Sequence, residues 1–373
     1  MLVTVRSFAK INLGLCIGPP RPDGFHELRT VYQTIALHDI VRVQVSHGSG
    51  IELRCVDPRV PKDESNTCYR VMEPALSGLK VPLRVVIEID KRLPVQGGLG
   101  GASANAVAVL LAFERALKKE FPAPEKFRIA AEVGSDLPLF LIGGTVLGVG
   151  RGEEVYPLPD LPSFPCVIAT PNVAVSTPQA FADWDVLCSA GIPARESAAL
   201  PDREGRDFSR ARNSTADQAA LAAEGNTPTS GDEKLTHSSP SDRIGEFSRR
   251  LAAWLSPQQK ITSGKGLSGV PASGRGRAET PLLDLVRTGI ENDFEQVVFP
   301  KYPELREVKR VLERNGALYA SLSGSGSAIY GLFAARSKAE IAAKKLGKIG
   351  VQAQVTTTLS RPQYWKKFLV SGF

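Results

Sequence analysis

A run of glycines between a strand pattern and a helix pattern limits the fold of this chain more than any other feature. Residues 93–110 read LPVQGGLGGASANAVAVL and hold four glycines in five consecutive positions. Residues 83–94 before it alternate as in a strand, and residues 105–118 carry apolar side chains at helical spacing. Free amides and the dipole at such a helix start favour an anion, which glycine lets the main chain approach closely. The pattern predicts a strand, a turn suited to phosphate, and a helix.

Two well-known phosphate loops do not match this stretch. A Walker A loop ends in Gly-Lys-Ser/Thr, which is absent here. The dinucleotide fingerprint G-x-G-x-x-G fails because the sequence from residue 98 reads GLGGAS. Taken alone, the stretch fits a tight turn with close helix packing as well as it fits a phosphate site, so other segments must decide.

Length and hydropathy bound the class of protein. The chain has 373 residues, 42% of them hydrophobic, which suits two domains or one large domain. The longest apolar run, residues 137–150, is short and broken by glycine, so we expect no membrane association. Residues 1–15 lack the apolar core and cleavage site of a secretory signal.

The net charge and the cysteines indicate which partners and which cellular compartment to expect. The net charge of +7 permits an anionic partner, but no basic helix or basic–aromatic array is present, so we expect no nucleic acid partner. The five cysteines, at positions 16, 55, 68, 166 and 188, lack metal-ligand spacing. We therefore expect reduced core thiols in a cytoplasmic protein.

Strand and helix patterns form two groups separated by a segment of different composition. Strand patterns cover residues 1–17, 38–56, 83–94, 165–177 and 317–333. The range 317–333 holds two strands around a Gly-Ser turn. Helical spacing covers residues 67–79, 105–118, 125–134 and 280–316, the last as two helices. From about 189 to 279 the chain is poor in large apolar residues and predicts a flexible insertion with one helix at 244–255.

Three segments far apart in the chain occur in the order of one kinase family's motifs. They are SFAKINLGL (7–15), LPVQGGLGGASANA (93–106) and SLSGSGSAIYGLF (321–333). Together they resemble the motifs of the GHMP kinases, named for galactose, homoserine, mevalonate and phosphomevalonate. RPDGFHELRTVYQTIALHD, GSDLPLFLIGG and ENDFE extend the resemblance to the member that phosphorylates a cytidine diphosphate-linked methylerythritol. The resemblance spans about residues 1–185 and 280–360.

The resemblance implies an α+β fold with the two-domain GHMP kinase architecture. Residues 1–160 would form a ribosomal protein S5 domain 2-like N-terminal domain with the phosphate loop. Residues 161–373 would form a ferredoxin-like C-terminal domain containing the insertion at about 189–279. The implied reaction, in the cleft between them, moves the γ-phosphoryl of ATP, with Mg²⁺, to the 2-hydroxyl of the methylerythritol unit. That step belongs to the non-mevalonate route to isoprenoid precursors.

By the same resemblance, backbone amides of the glycine loop wrap the ATP phosphates and the Gly-Ser turn at 323–327 completes the site. The implied ATP-binding residues are Pro94, Val95, Gln96, Gly97, Gly98, Leu99, Gly100, Gly101, Ala102, Ser103, Ala104, Gly324, Ser325 and Gly326. Ser103 also offers a hydroxyl to phosphate or Mg²⁺, with a helix N-cap as its structural alternative. The family often has GGGSS here, so Ala104 lacks the second hydroxyl.

The catalytic pair implied by the resemblance is Lys10 and Asp136. Asp136 in GSDLP matches the family's G-A-D-x-P, and its carboxylate would orient the acceptor hydroxyl and take its proton. Lys10 in AKIN would keep that carboxylate ionised and steady the transferred phosphoryl group. The structural alternatives are an N-cap for Asp136 and a solvent-facing side chain for Lys10.

The substrate residues implied by the resemblance centre on DGFHEL. Phe25, where the family usually has Tyr, would stack on cytosine, and His26 would hydrogen-bond its edge. Asn12 would contact the reacting end, and VSTPQAF would supply Thr177 and a second aromatic wall, Phe181. Phe181 also fits a core position, and His26 a structural one. Asn292 and Asp293 in ENDFE are expected to begin or cap a helix.

Two other functions stay open at this point. One is a GHMP kinase for another small alcohol, against which the aromatic–His pair of DGFHEL argues. The other is a non-catalytic nucleotide-binding protein, against which Lys10 and Asp136 together argue. The oligomeric state and the role of the insertion do not follow from the sequence.

Overall fold

The described chain forms two β-sheets, each covered by helices. The structure is a computed structural model, and it describes residues 1–79, 81–95, 97–189, 244–245, 247–248, 251 and 291–370. Most of the predicted insertion at about 189–279 lies outside these residues. The two sheets divide the chain between Pro157 and Pro165, the last and first residues of neighbouring strands.

The first sheet has six strands and is dominated by one long hairpin. Its strands are β1 (Leu2–Pro20), β2 (His26–His47), β3 (Gly50–Cys55), β4 (Leu83–Asp90), β5 (Thr145–Val149) and β6 (Glu154–Pro157). The order is β3-β4-β2-β5-β6, and β1 pairs with β2. The β1–β2 register shifts between Phe8 and Lys10 and again between Asn12 and Gly14. Such irregularities re-aim side chains, and these two flank the AKIN segment.

Four helices belong to the first half of the chain, and one of them runs through its core. They are α1 (Thr67–Ser77), α2 (Gly101–Leu117), α3 (Ala123–Val133) and α4 (Leu137–Phe140). Every residue of α2 from Ala104 to Glu114 is buried, so its apolar surface extends all around the helix. The helix starts four residues before the predicted start at 105. Gly100 takes a left-handed conformation at φ +69°, which lets the small residues after it form the first turn.

The second sheet has the ferredoxin-like strand order. Its strands are β7 (Pro165–Thr170), β8 (Tyr319–Leu322), β9 (Ile329–Leu332) and β10 (Gln352–Thr357), in the antiparallel order β10-β7-β9-β8. Its helices are α5 (Thr177–Ser189), α6 (Glu295–Lys301), α7 (Pro303–Arg314) and α8 (Arg336–Lys348). The final helix, α9 (Arg361–Phe368), returns to the first half, where the Tyr364 hydroxyl donates to the Phe140 carbonyl oxygen at 2.8 Å.

The predicted helix at 244–255 is helical at the residues that the structure describes. Ile244, Phe247 and Leu251 are buried and join the hydrophobic cluster that also contains Leu158 and Phe164. Their spacing of three and four residues puts them on one helix face. Of the predicted pair at 280–316, residues 280–290 lie outside the description, and α6 and α7 account for the remainder.

The predictions about membrane association and about the thiols can be compared with the described residues. In those ranges no helix combines the length and apolarity needed to cross a membrane. Cys16, Cys55, Cys68 and Cys166 are buried core residues, as predicted, whereas Cys188 near the end of α5 is exposed, so the prediction of a core thiol is wrong there. Burial raises the pKa of the Cys68 thiol to about 12, so that thiol stays protonated and unreactive.

Candidate active site

The two glycine-rich segments from opposite ends of the sequence lie directly against each other. Gly98 has φ +78°, and a Cβ atom there would lie 2.1 Å from the Ser323 carbonyl oxygen. A Cβ atom on Gly326 would lie 2.5 Å from the Gly98 nitrogen. The Ser323 hydroxyl donates to the Gly98 carbonyl oxygen at 3.0 Å, and the Ala328 amide donates to that of Gly97 at 3.1 Å. The glycines therefore permit close contact between the backbones of these two segments.

The glycine loop leads directly into the first turn of α2. The helix begins at Gly101 with Gly100 as its N-cap residue, and no side chain caps it. The N-cap alternative for Ser103 is therefore wrong, because Ser103 lies within the first turn. Its side chain is half-buried beside a cavity, whereas Ala104 is buried in the core. A serine hydroxyl at position 104 would therefore lie in the core and not in the cavity.

A first cavity, of about 380 Å³, lies along the glycine loop. Its lining includes the loop residues Pro94, Val95, Gly97, Gly98, Leu99, Gly100, Gly101, Ala102 and Ser103. Asn66, Thr67 and Lys91 complete the wall on the other side. The helix start and the Lys91 ammonium both favour negative charge in this space. Gln96, the remaining predicted loop residue, lies outside the described residues.

A second cavity, of about 320 Å³, shares Gly98 and Gly100 with the first. Its lining contains all the residues predicted for catalysis and for the substrate: Lys10, Asn12, Phe25, His26, Asp136, Thr177 and Phe181. Gly324 and Ser325, which were predicted for ATP, also line this second cavity and not the first. Residues from β1, β2, α5, the segment just before α4 and the 323–327 turn thus converge on one space. The glycine loop is the common wall of the two cavities.

Lys10 and Asp136 form an ion pair in the second cavity. The Lys10 Nζ atom lies 3.3 Å from Asp136 Oδ2 and donates to Asn12 Oδ1 at 2.7 Å. The Lys10 side chain is only 4% exposed, so the solvent-facing alternative for it is wrong. Asn12 is held in turn by donating to the Thr30 hydroxyl at 2.7 Å. A buried lysine side chain with these partners is fixed in position.

Asp136 occupies the N-cap position of α4, yet its side chain makes no capping hydrogen bond. The N-cap alternative therefore does not explain this side chain. Its other oxygen, Oδ1, accepts a hydrogen bond from the Tyr32 hydroxyl at 3.0 Å. The carboxylate is 32% exposed and lines the cavity, so it is oriented by two partners while open to a ligand.

Tyr32 was missed by sequence reasoning. Burial first, and then the Asp136 carboxylate, raise the pKa of Tyr32 well above its usual value, so its hydroxyl remains a proton donor. The information that would have identified Tyr32 is the strand pairing, because Tyr32 lies directly opposite Asn12 in the β1–β2 register. That register is not readable from either segment alone.

The residues of DGFHEL lie together, with two partners that the sequence did not suggest. The Phe25 ring is 49% exposed, and the Arg151 guanidinium lies 4.8 Å from its centroid. His26 is buried and stacks on Phe181 with centroids 4.9 Å apart. His26 Nε2 lies 2.7 Å from Asp185 Oδ1, and because a carboxylate only accepts, that nitrogen carries a proton.

The turn at 323–327 is tied to the other residues of the second cavity. The Ser325 and Thr177 hydroxyl oxygens lie 2.7 Å apart. Asn292 Nδ2 donates to the carbonyl oxygens of Leu322 and Gly324, at 2.9 and 2.7 Å. The Asp293 carboxylate accepts from the Ile17 amide at 2.8 Å. The prediction that Asn292 and Asp293 begin or cap a helix is wrong, because α6 begins at Glu295 with Phe294 as its N-cap residue. The two side chains instead fasten this turn and β1.

The geometry suits transfer of an anionic group between two ligands. One cavity has an anion-binding wall, the other has the Asp136 carboxylate beside the buried Lys10 side chain, and the glycine loop lines both. In the described ranges no group of three or more His, Cys, Asp or Glu side chains is placed to hold a metal ion. A phosphoryl donor in the first cavity would meet an acceptor in the second.

Comparison with known proteins defines the class. The model for the GHMP kinases N terminal domain matches residues 66–144, and the one for the GHMP kinases C terminal matches residues 279–352. A curated protein from Solibacter usitatus (strain Ellin6076) is 32% identical over 347 residues, covering 92% of this chain and 85% of the relative. The chain therefore belongs to the GHMP kinase family, whose members are ATP-dependent phosphotransferases.

The particular relatives share one name. The Solibacter protein is a 4-diphosphocytidyl-2-C-methyl-D-erythritol kinase. So is a protein from Acaryochloris marina (strain MBIC 11017), 33% identical over 344 residues, covering 92% of this chain and 91% of the relative. A solved 4-(cytidine 5'-diphospho)-2C-methyl-D-erythritol kinase superposes with a TM-score of 0.59 at 25% identity, covering 95% of this chain and 98% of that chain. A homoserine kinase from Cytophaga hutchinsonii, at 20% identity, shares the fold.

Proposed function

We propose that this chain transfers the γ-phosphoryl group of ATP to the 2-hydroxyl of 4-diphosphocytidyl-2-C-methyl-D-erythritol, in the non-mevalonate route to isoprenoid precursors. The observation that carries the proposal is the Lys10–Asp136 pair, 3.3 Å apart, in a cavity that shares the glycine loop with an anion-binding cavity. The names of the curated relatives support the choice of alcohol.

ATP occupies the first cavity in this proposal. The amides of the loop and of the first turn of α2 hold its phosphates, and the turn at 323–327 supports the loop from behind. Mg²⁺ is usually held by one or two protein groups together with substrate phosphates. The donor set here fits that pattern, because Ser103 offers one hydroxyl beside the loop and no carboxylate cage is present in the described ranges. When bound, Mg²⁺ neutralises charge on the phosphates.

Asp136 acts on the acceptor in this proposal. Its Oδ1 and Oδ2 atoms are oriented by Tyr32 and Lys10, which leaves a lone pair directed into the cavity for the alcohol. As the hydroxyl oxygen bonds to the γ-phosphorus, its proton passes to Asp136 and the bond to the β-phosphate oxygen breaks, giving ADP. Lys10 stabilises the negative charge on the group in transit.

The cytidine end of the alcohol is held by the DGFHEL residues in this proposal. The exposed face of Phe25 offers a stacking surface for the cytosine, and His26 faces the base edge. Asp185 fixes the proton on His26 Nε2, and Phe181 supports the ring from one face. Asn12 and the Thr177 hydroxyl contact the reacting end.

Domain organisation and compartment follow from the same proposal. We take residues 1–160 and 161–373 as the two domains, because the two sheets separate between Pro157 and Pro165. We place the reaction in the cytoplasm, since buried unreactive thiols suit a reducing compartment. The ligands we infer are small molecules, without nucleic acid or membrane.

The test is ADP release with ATP, Mg²⁺ and one of three alcohols: 4-diphosphocytidyl-2-C-methyl-D-erythritol, homoserine or mevalonate. We expect turnover with the first only, and a fall in kcat of about 10²–10⁴-fold in Asp136→Ala, the usual contribution of a general base. Turnover with another alcohol alone would overturn the substrate. Full activity in Asp136→Ala would overturn its role, and ATP binding without turnover would favour a non-catalytic protein.

A further inference from the structure

Beneath the glycine loop lies a buried carboxylate that touches neither cavity. Asp39, at the end of the RPDGFHELRTVYQTIALHD segment, is 0% exposed. Its Oδ1 atom accepts from the backbone amides of Arg92 and Leu93, both at 2.7 Å. Its Oδ2 atom accepts from Lys91 Nζ at 2.6 Å and from Asn105 Nδ2 at 3.0 Å. Four donors therefore meet one carboxylate.

The position of Asp39 in β2 explains this convergence. Its neighbour Ile40 pairs with Asp90, the last residue of β4. The chain beyond Asp90 leaves the sheet, so the amides of residues 92 and 93 have no strand partner there, and the Asp39 carboxylate accepts from them instead. Asn105 lies in α2, beyond the loop, so Asp39 joins the chain entering the loop to the helix leaving it.

The Lys91 ammonium pairs with the Asp39 carboxylate inside the protein. The Lys91 side chain is 7% exposed, and a Cβ atom at Gly101 would lie 3.2 Å from its Nζ atom, so the ammonium stands beside the first turn of α2. A buried ion pair repays its desolvation only when its remaining hydrogen-bonding sites are filled, as they are for this carboxylate. The arrangement specifies one geometry for the base of the loop.

Other contacts fix the tip of the loop but not its base. The Lys10 amide donates to the Leu99 carbonyl oxygen at 3.0 Å, and the Ser323 hydroxyl donates to that of Gly98 at 3.0 Å. Both contacts act between Gly97 and Gly100. The entry at residues 91–93 and the exit at Asn105 are joined to each other by Asp39.

We propose that Asp39 is a positioning residue that holds the base of the glycine loop in its nucleotide-binding conformation, without touching the nucleotide. The inference rests on the proposed role of the loop in binding ATP phosphates. It assigns Asp39 to nucleotide affinity and not to recognition of the alcohol. A residue with a merely structural role would lower stability without separating these two affinities.

The test is Asp39→Asn, with calorimetric titration of Mg²⁺ and the non-hydrolysable ATP analogue AMP-PNP, and with KM values for ATP and the alcohol. The matched control is Glu114→Gln. Glu114 is also buried in α2, pairs with Lys126 at 3.2 Å and accepts from the Phe121 amide at 2.6 Å, but at the opposite end of the helix. Thermal unfolding of both variants measures the stability that each change costs.

We expect Asp39→Asn to weaken AMP-PNP binding and raise KM for ATP by about tenfold or more, because the loop loses its fixed base. KM for the alcohol should change by less than about twofold, and Glu114→Gln should bind AMP-PNP like the wild type. Wild-type nucleotide affinity in Asp39→Asn, or an equal loss in Glu114→Gln, would overturn the inference.

A second variant covers failure of Asp39→Asn to fold. Asn105→Ala removes the hydrogen bond that joins Asp39 to α2 and leaves the Asp39–Lys91 ion pair in place. Weaker AMP-PNP binding in Asn105→Ala supports the inference, and wild-type binding overturns it. Because the titration needs no acceptor, a wild type that binds AMP-PNP but phosphorylates no alcohol would contradict the proposed function and leave the result on Asp39 standing.

Discussion

The two cavities that share the glycine loop are built from different parts of the chain. The first is lined by the glycine loop and the start of α2, with residues between Arg59 and Cys68 and Lys91 on the remaining wall. The second is lined by side chains from five elements, held by pairs such as Lys10–Asp136 and His26–Asp185. The first therefore depends on backbone conformation, and the second on the register and packing that bring distant side chains together.

Gly98→Ala should give the largest effect on the first cavity. A Cβ atom there would meet the Ser323 carbonyl oxygen, and φ of +78° disfavours any side chain. We expect KM for ATP to rise by about a hundredfold, or ~2.7 kcal/mol, with a smaller rise in KM for the alcohol, because Gly98 also lines the second cavity. Gly50→Ala is the control, because Gly50 has φ +99° but no atom near its Cβ position. Equal nucleotide affinity in the two variants would argue against the close contact.

Tyr32→Phe should give an intermediate effect confined to the second cavity. Loss of one hydrogen bond to the Asp136 carboxylate should lower kcat by about tenfold, the usual size for a bond to a charged group. Tyr364→Phe removes another buried hydroxyl, one that donates to a carbonyl oxygen at the other end of α4, and should retain kcat. A drop of equal size in Tyr364→Phe would assign the effect to α4 packing.

The pH dependence of the Tyr32 effect has a definite sign. Burial raises the pKa of Tyr32 well above its usual value, so the hydroxyl stays protonated as pH rises towards 10. The ratio of wild-type to Tyr32→Phe kcat should therefore be constant from about pH 7 to 9.5. A ratio that falls to unity within that range would mean that Tyr32 ionises there and has lost its donor role.

Asp185→Asn should give the smallest effect. The side chain of Asp185 is 51% exposed, so its pairing with His26 is screened by water. We expect KM for the alcohol to rise about two- to fivefold, with KM for ATP unchanged. Asp183→Asn, on the same helix, removes the partner of Lys301 and should leave both KM values alone. A rise in KM for ATP in Asp185→Asn would contradict the division between the cavities.

The sequence predicted the main-chain features well because they depend on residues close together in the chain. The glycine loop and the helix after it follow from a pattern that lies within one segment. The ferredoxin-like second sheet, whose strands lie far apart in the chain, was instead implied by the resemblance to the GHMP kinases. Tyr32, Asp185, Arg151 and Asp39 were missed, since each acts on a residue from another segment. Their roles depend on the β1–β2 register and on how the loop leaves β4, which no single segment encodes.

The early start of α2 has a similar cause. Residues 101–104 are too small to give a helical pattern, and only the left-handed Gly100 determines that the helix begins there. The N-cap alternative for Ser103 is wrong for the same reason. In contrast, the helix predicted at 125–134 is found at 123–133, and its end was predicted correctly because Gly134 marks it in the sequence.

The most direct test of the central claim is a phosphorus NMR spectrum of the wild-type protein with ATP, Mg²⁺ and 4-diphosphocytidyl-2-C-methyl-D-erythritol. Transfer between the two cavities predicts a new phosphomonoester signal that grows in equal amount with ADP. ADP accompanied by inorganic phosphate, or no consumption of ATP, would contradict the claim that the loop joins a phosphoryl donor to this acceptor.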